Sequence, residues 1–503
     1  MKFSVRGVAV IVLGVCVLVG AGCGSAPNPA QNKITTPSCT AGSTFVPASV
    51  PLIQLSCDSF TNSTSQHRTE VEPGSFAFGN TIIASFQVGR IFGGGASDIG
   101  YAISTDAGAT WQNGLLPRIT TFQGAGTYSA VSDTSVIYDS AHGVWLIASL
   151  PISAGSVPVA VSRSTDGGAT WSSPVIVAHG VNLDKNWITC DASPASPHYG
   201  NCYMEWDDNS TNNLVYMSTS SDGGQTWSPA SAVSGANGLG GQPLAQPNGN
   251  VIVPFLTNGS HIESFSSTNG GATWSTPVQV AVVNQKTVAG SLRSDALPSA
   301  QMDAAGTIYV VWQDCSFSAG CSSNDLVMST SVDGTTWTAP ARIPIDPLTS
   351  TVDHFIPGLG IDPGTSGSGA QLGLTYYYYS QANCTASTCA LYVGFISSSD
   401  GGNTWSAPTT LAGPMSVNWL PSTFSGQMVG DYIATSFAGG KAYGFFAVAK
   451  ANSGTAFDEA IYTTQAGFDV AAATAMSSSA GERPVAAGRI PTSRRTLPFP
   501  VRR

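Results

Sequence analysis

One octapeptide, written six times, constrains this chain more than any other feature. "STDAGATW" starts at Ser104, "STDGGATW" at Ser164, "SSDGGQTW" at Ser220, "STNGGATW" at Ser267 and "SSDGGNTW" at Ser398, with a shortened "SVDGTTW" at Ser331. Their acidic or amide residues, Asp106, Asp166, Asp222, Asn269, Asp333 and Asp400, lie 47 to 67 residues apart. That period holds one four-stranded antiparallel sheet with its turns, and sheets repeated at such a period stack radially. Within each copy the carboxylate accepts from backbone N–H groups further on and folds the chain back. The glycines permit the positive φ a tight turn needs, and the Trp offers an apolar face to the sheet. Asn269 does the same work as an aspartate. A group used six times at equivalent places, once as an amide, builds structure and does not catalyse.

The segments between the boxes alternate apolar and polar residues as strands do. Runs such as "DIGYAIS", "VPVAVSRS", "LVYMSTS" and "DLVMSTS" end at the box serine. An earlier run precedes each of them: "TIIASFQV", "GVWLIASL", "CYMEWDD", "VIVPFL", "TIYVVWQD" or "LGLTYYYY". Each unit therefore reads as inner strand, second strand, third strand, box and outer strand. After the sixth box, "MVGDYIATSF", "KAYGFFAVAK" and "DEAIYTTQA" read as three strands of a further unit without a box. The N-terminal "SVPLIQLS" supplies its missing outer strand, and joining both chain ends in one sheet leaves no open edge. The expected fold is all-β: a propeller of four-stranded antiparallel blades, six with boxes and a seventh closed by the two chain ends. Six blades with additional C-terminal strands are the alternative.

The N-terminus, "MKFSVRGVAVIVLGVCVLVGAGCGSAPNPA", has Lys2 and Arg6, then an apolar run, then small residues up to Cys23. This is the layout of a secretory signal over residues 1–22. "GAGC" resembles a bacterial lipoprotein processing site, which makes Cys23 the lipidated residue. Residues 23–45 read as a polar tether, 46–470 as the propeller, and 471–503 as a disordered tail with six Arg and one Glu. Extracytoplasmic placement follows, in the periplasm or at a bacterial cell surface, with the membrane touched only through a lipid anchor. Eight further cysteines fall in local pairs, Cys39/Cys57, Cys190/Cys202, Cys315/Cys321 and Cys384/Cys389, as disulfides of an exported chain do. They lack metal-ligand spacing, so neither metal nor cofactor is expected. Net charge is −10 although the tail is basic, which argues against nucleic acid as a partner.

The S-x-D-x-G-x-T-W boxes resemble the Asp-box (BNR) repeats of the sialidase superfamily, over roughly residues 70 to 465. More closely still, the chain is similar to exported bacterial sialidase-like BNR-repeat proteins. The resemblance implies a glycoside hydrolase of exo-α-sialidase type acting on a glycan or glycoprotein. It also implies three arginines clamping a carboxylate, a tyrosine nucleophile and an aspartate acid/base. Strand parity puts every box at one end of the sheets, so the site belongs with the loops at the other. Asp98 falls in the family's acid/base place, in the loop after the second strand, with Arg90 before it. Tyr432 and Asp431, in "GDY", start the closing unit near the axis. Asp184, Lys185, Arg293, Asp353 and His354 are the remaining candidate substrate contacts. The family's Arg-Ile-Pro is here Val71-Glu72-Pro73, so the first clamp arginine is absent. Enzymatic activity is therefore left open, and the alternative is a non-catalytic surface lipoprotein that binds glycans or proteins.

Overall fold

A computed structural model describes residues 48, 50–470 and 476–477. The signal, tether and nearly all of the tail, including Cys23 and Cys39, lie outside the described residues. Helical structure among the described residues is confined to four short 3-10 turns; the rest is strand and turn, as expected of an all-β chain.

The strands pair antiparallel in sets of four that follow the boxes. The first unit is Glu70–Phe78, Thr81–Arg90, Ala96–Ser104 and Gln112–Leu115. The second is Ala130–Asp139, Val144–Ile152, Val159–Ser164 and Val175–Ala178. The third is Leu183–Cys190, Cys202–Asp208, Leu214–Ser220 and Ser231–Leu239, and the fourth is Leu244–Ala245, Val251–Thr257, His261–Ser267 and Val278–Val282. The fifth is Ser299–Met302, Ile308–Asp314, Asp325–Ser331 and Ala341–Arg342. The sixth is Asp353–Ile361, Leu372–Tyr379, Ala390–Ser398 and Thr409–Ser416. The seventh is Ala434–Ala438, Lys441–Ala449 and Glu459–Thr464, completed by Leu52–Gln54 from the other end of the chain, with Ile53 opposite Thr463.

The first strand of each unit lies against the first strand of the next, and the seventh returns to the first. These strands do not pair in a ladder, and side chains bond the backbone between them. Ser135 Oγ accepts from the Ile188 N–H at 3.2 Å, Ser299 Oγ accepts from Leu359 N–H at 2.9 Å, and Thr435 Oγ1 donates to the Gly358 carbonyl at 2.7 Å. Between units the cores are apolar: Val144, Leu146, Met204 and Trp206 share one, and Tyr309, Val311, Leu372 and Trp405 another.

The boxes are the turns their residues call for. Asp166 Oδ1 accepts from Thr170 N–H at 2.9 Å, while Ser164 Oγ donates to the same carboxylate at 2.8 Å and accepts from Gly168 N–H at 2.8 Å. Asn269 reproduces this, accepting from Thr273 N–H at 3.0 Å. Each box also touches the unit before it. A Cβ on Gly168 would lie 2.7 Å from Ile83 and Ile103; on Gly224, 3.1 Å from Leu146; on Gly334, 2.6 Å from Ile252; on Gly402, 2.4 Å from Met328. Gly271 abuts Tyr203, and Gly108 abuts Tyr443 of the seventh unit. The second glycine is missing a side chain because the neighbouring sheet fills its place.

Cys190–Cys202, Cys315–Cys321 and Cys384–Cys389 are bonded as expected. Cys57 is disulfide-bonded, and its expected partner Cys39 lies outside the described residues. Within the stretch expected to form the tail, Met476–Ser477 pairs with Thr404–Trp405. No helix among the described residues is long and apolar enough to cross a membrane.

Candidate functional site

At the end opposite the boxes, four inner strands carry a β-bulge near their start, with a register shift between Val71 and Gly74, Ser132 and Thr134, Asp184 and Trp187, and Phe355 and Gly358. The extra residue in each is left-handed: Glu72 at φ 56°, Asp133 at 37°, Lys185 at 52° and Ile356 at 50°. Non-glycine residues hold this conformation only where the surroundings compel it, and bulges re-aim side chains. In the first three units the re-aimed side chain is charged, and these charges meet.

Lys185 Nζ donates to Asp431 Oδ2 at 2.5 Å and stands 3.9 Å from Glu72 Oε1. The Arg293 guanidinium makes a short ion pair with the same Asp431 oxygen. Glu72 accepts from the Gln87 amide and, at 3.3 Å, from the Asp431 N–H. The Lys185 N–H is shared by Asp133 Oδ2 at 2.9 Å and Asp184 Oδ1 at 3.0 Å. Arg90 is buried, held by the Ile91 and Gly95 carbonyls and by Met428 Sδ. Tyr432 OH accepts from Thr134 N–H at 2.8 Å and donates to the Thr134 carbonyl at 3.2 Å.

The two central carboxyls are driven apart. Burial raises Glu72, which the Lys185 charge only partly offsets while Asp133 and Asp431 add to the rise, to about 8. Burial also pushes Asp431 up, but Arg293 and Lys185 more than reverse it and hold it well below the ordinary carboxylate range. Burial works against the Lys185 ammonium, yet Asp133, Asp431, Glu72 and Asp184 outweigh it and keep it charged. Arg90 is lowered to about 10, first by burial and then by the Arg293 charge. Burial and Asp133 raise Asp184 to about 6. At neutral pH the centre therefore holds a protonated Glu72 beside an ionised Asp431. The cavity lined by Lys185, Trp187, Gln242, Asp431 and Tyr432 is about 20 Å³, room for about one water.

Of the candidate residues, Arg90, Asp184, Lys185, Arg293, Asp431 and Tyr432 are brought together here. Asp98 is not. It is fully buried inside the third strand of the first unit, not in the preceding loop, and its two carboxylate oxygens have no hydrogen-bond partner. Asp353 accepts from Asn324 N–H at 2.7 Å and faces Lys286 Nζ at 3.5 Å, and His354 lines a different cavity. In that sixth unit the bulged residue is Ile356, so the pair precedes the point where side chains are re-aimed. Glu72, Asp133 and Gln87 were not singled out from the sequence as members of the centre. A lone carboxylate in a strand reads as a solvent-facing residue, and only the repeated place of Glu72, Asp133 and Lys185 at three strand starts marks them.

Among the described residues, two clusters have metal-ligand proximity: Asp139 with Cys190 and Cys202, and Asp325 with Asp346 and His354. The cysteines of the first are disulfide-bonded to each other, and Arg342 ion-pairs with both aspartates of the second. Beside the centre, Phe92 and Phe424 are 51% and 46% exposed and meet edge to face, with ring centroids 5.8 Å apart. They flank the seam where Arg90 meets Met428 and where Arg293 N–H donates to the Gln427 carbonyl at 2.8 Å.

Residues 62–262 match the BNR repeat-like domain. No curated protein matches the chain. Among solved structures, a Hadza microbial sialidase is 17% identical over 61% of this chain and 63% of its own, with a TM-score of 0.42. The leech intramolecular trans-sialidase is 14% identical over 66% and 67%, with a TM-score of 0.42. An ulvan lyase is 11% identical over 83% and 96%, with a TM-score of 0.48. The chain spans about 63% of the length of the Hadza sialidase.

Proposed function

We propose that this chain, whose residues 62–262 match the BNR repeat-like domain, is a seven-bladed β-propeller that binds glycans at its loop-bearing end and does not act as an exo-α-sialidase. The circuit of first strands and the closing Leu52–Gln54 strand support the seven blades. One observation carries the functional reading: the groups a sialidase-type centre needs free are engaged within the protein. Lys185 and Arg293 both hold Asp431, Glu72 stands beside the place of a clamp cation, and the Tyr432 hydroxyl is tied to the Thr134 backbone. A substrate carboxylate would have to displace Asp431 from two buried cations, and breaking such an interaction costs about 3 kcal/mol or more. The exposed Phe92–Phe424 pair offers ring faces at the mouth of this end, the amphipathic surface on which sugar rings stack.

A second reading has its own support. Glu72 and Asp431 are adjacent carboxyls with oppositely shifted protonation, the pattern of a general acid beside an ionised partner. A glycan array combined with a panel of fluorogenic glycosides separates the two. The expected result is glycan capture that Phe92→Ala/Phe424→Ala abolishes, with no turnover of any glycoside. Turnover lost in Glu72→Gln and in Asp431→Asn would establish the hydrolase instead. Neither capture nor turnover would sink both.

Export and a lipid anchor at Cys23 belong to the same reading, supported by the signal layout and by three disulfides that need an oxidising compartment. In a bacterial host Cys23→Ala is expected to move the protein from the membrane fraction to the soluble one; unchanged fractionation would remove the anchor from the proposal.

A further inference from the structure

The most suggestive space outside the centre lies over the sixth unit, where His354, Tyr376, Tyr378, Asp346, Thr409 and Thr410 line a cavity of about 160 Å³. A cavity of about 150 Å³ takes benzene, so this one takes a single six-membered ring. Two of its polar groups are incompletely used. His354 is 2% exposed, with the Asn324 backbone as its one hydrogen-bonding neighbour, and Asp346 Oδ2 has no hydrogen-bond partner. Burial lowers the His354 imidazole to about 4, so at neutral pH it is uncharged and one ring nitrogen accepts while the other donates. His354 Nε2 and Asp346 Oδ2 stand 3.9 Å apart, beyond a hydrogen bond but within the span of one bridging hydroxyl.

The neighbouring charges narrow what fits. Arg342 Nε donates to Asp325 Oδ1 at 2.7 Å, and its other nitrogens bond the Asp346 carboxylate and, at 2.8 Å, the Asp346 carbonyl. The guanidinium stands between the two carboxylates, where a metal ion would have to sit, and satisfies much of their charge. What remains beside the guanidinium is one buried carboxylate oxygen and one buried imidazole, with Thr409 at the rim, against aromatic walls. Tyr378 stacks on Tyr392 with centroids 5.1 Å apart and bonds Thr410 at 2.8 Å, which holds its ring in place. Aromatic faces with a carboxylate acceptor and hydroxyls suit a ring that is apolar on its faces and hydroxylated at its edge.

We propose that this cavity is a second binding site, distinct from the centre, for one neutral hydroxylated six-membered ring such as a pyranose. It is tested by calorimetry and proton NMR on the full-length protein. The ligands are methyl glucoside, methyl galactoside, methyl mannoside, methyl N-acetylglucosaminide and myo-inositol, with tetramethylammonium and Ca²⁺ as competing chemistries. At least one ring is expected to bind and to shift one of the six imidazole signals, that of His354. Asp346→Asn should weaken it about tenfold through loss of the charged acceptor. Thr409→Phe, which fills the partly exposed rim, should abolish it, and Phe92→Ala/Phe424→Ala should leave it unchanged. The proposal is overturned if no ring shifts His354, if binding survives both cavity variants with melting unchanged, or if tetramethylammonium or Ca²⁺ binds more tightly than every ring. Should either variant fail to fold, the His354 shift in the unaltered protein decides alone.

Discussion

A single carboxyl, Glu72, shows how much of this centre hangs on the local backbone. Its side chain enters the interior because a left-handed residue at the bulge turns it inward, and there burial keeps it protonated to about pH 8. The unfolded chain would release that proton near 4.5. Between those values the folded state binds more protons than the unfolded one, so Glu72 makes stability fall as pH rises, with no further slope above about 8. Glu72→Gln is therefore expected to flatten the dependence of the denaturation midpoint on pH across this window and to exceed the parent protein at pH 8. A variant curve parallel to the parent's would contradict the protonated Glu72. The same residue marks a limit of legibility. Asp431 and Arg293 could be placed near the axis because loops carry them, and Lys185 because the start of its strand reads as part of a loop. Glu72 and Asp133 sit inside strands, and no rule of alternation announces a bulge.

At the level of elements, the octapeptide proves to do two jobs. It closes a hairpin, which the Asp, Gly and Trp already implied, and it also seats that hairpin on the preceding sheet through its second glycine, which they did not. The two roles separate within one box. Gly167 and Gly168 both have positive φ, but a Cβ on Gly167 meets nothing, whereas one on Gly168 meets Ile83 and Ile103 at 2.7 Å. Gly167→Ala should cost about 1 kcal/mol of unfolding free energy through backbone strain. Gly168→Ala should cost about 3 kcal/mol, strain plus overpacking. Equal losses in urea titrations would mean that the inter-unit contact contributes nothing. The seventh unit has no box because it has no hairpin to close. Its third and outer strands come from opposite ends of the chain, so there is no turn between them to build.

For the whole molecule, the repeat period and the strand runs were enough to foresee the units and the pairing of "LIQ" with the last strand. Side-chain convergence was less visible, since it depends on which of seven strand starts are bulged. Asp353 and His354 follow the same positional rule as Lys185, yet Asp353 pairs with Asn324 and Lys286 and His354 faces another cavity, because their unit places Ile356 at the bulge. The closing strand is three residues long and pairs on one side only. Ile53→Pro would remove its N–H opposite Thr463, between the flanking bonds Leu55 N–H to Ile461 and Gln465 N–H to Pro51. The expected loss is about 1 to 3 kcal/mol, the cost of leaving a buried backbone acceptor unpaired, with aggregation as the edge of Glu459–Thr464 opens. A midpoint and solubility equal to the parent's would show that closure is dispensable.

That clasp also sets a timetable. Leu52–Gln54 is made well before its partner, Glu459–Thr464. The pairing waits for some four hundred intervening residues, and contacts so distant in sequence form slowly. Until Glu459–Thr464 has been made, Leu52–Gln54 has no strand to pair with, and the ring stays unlatched.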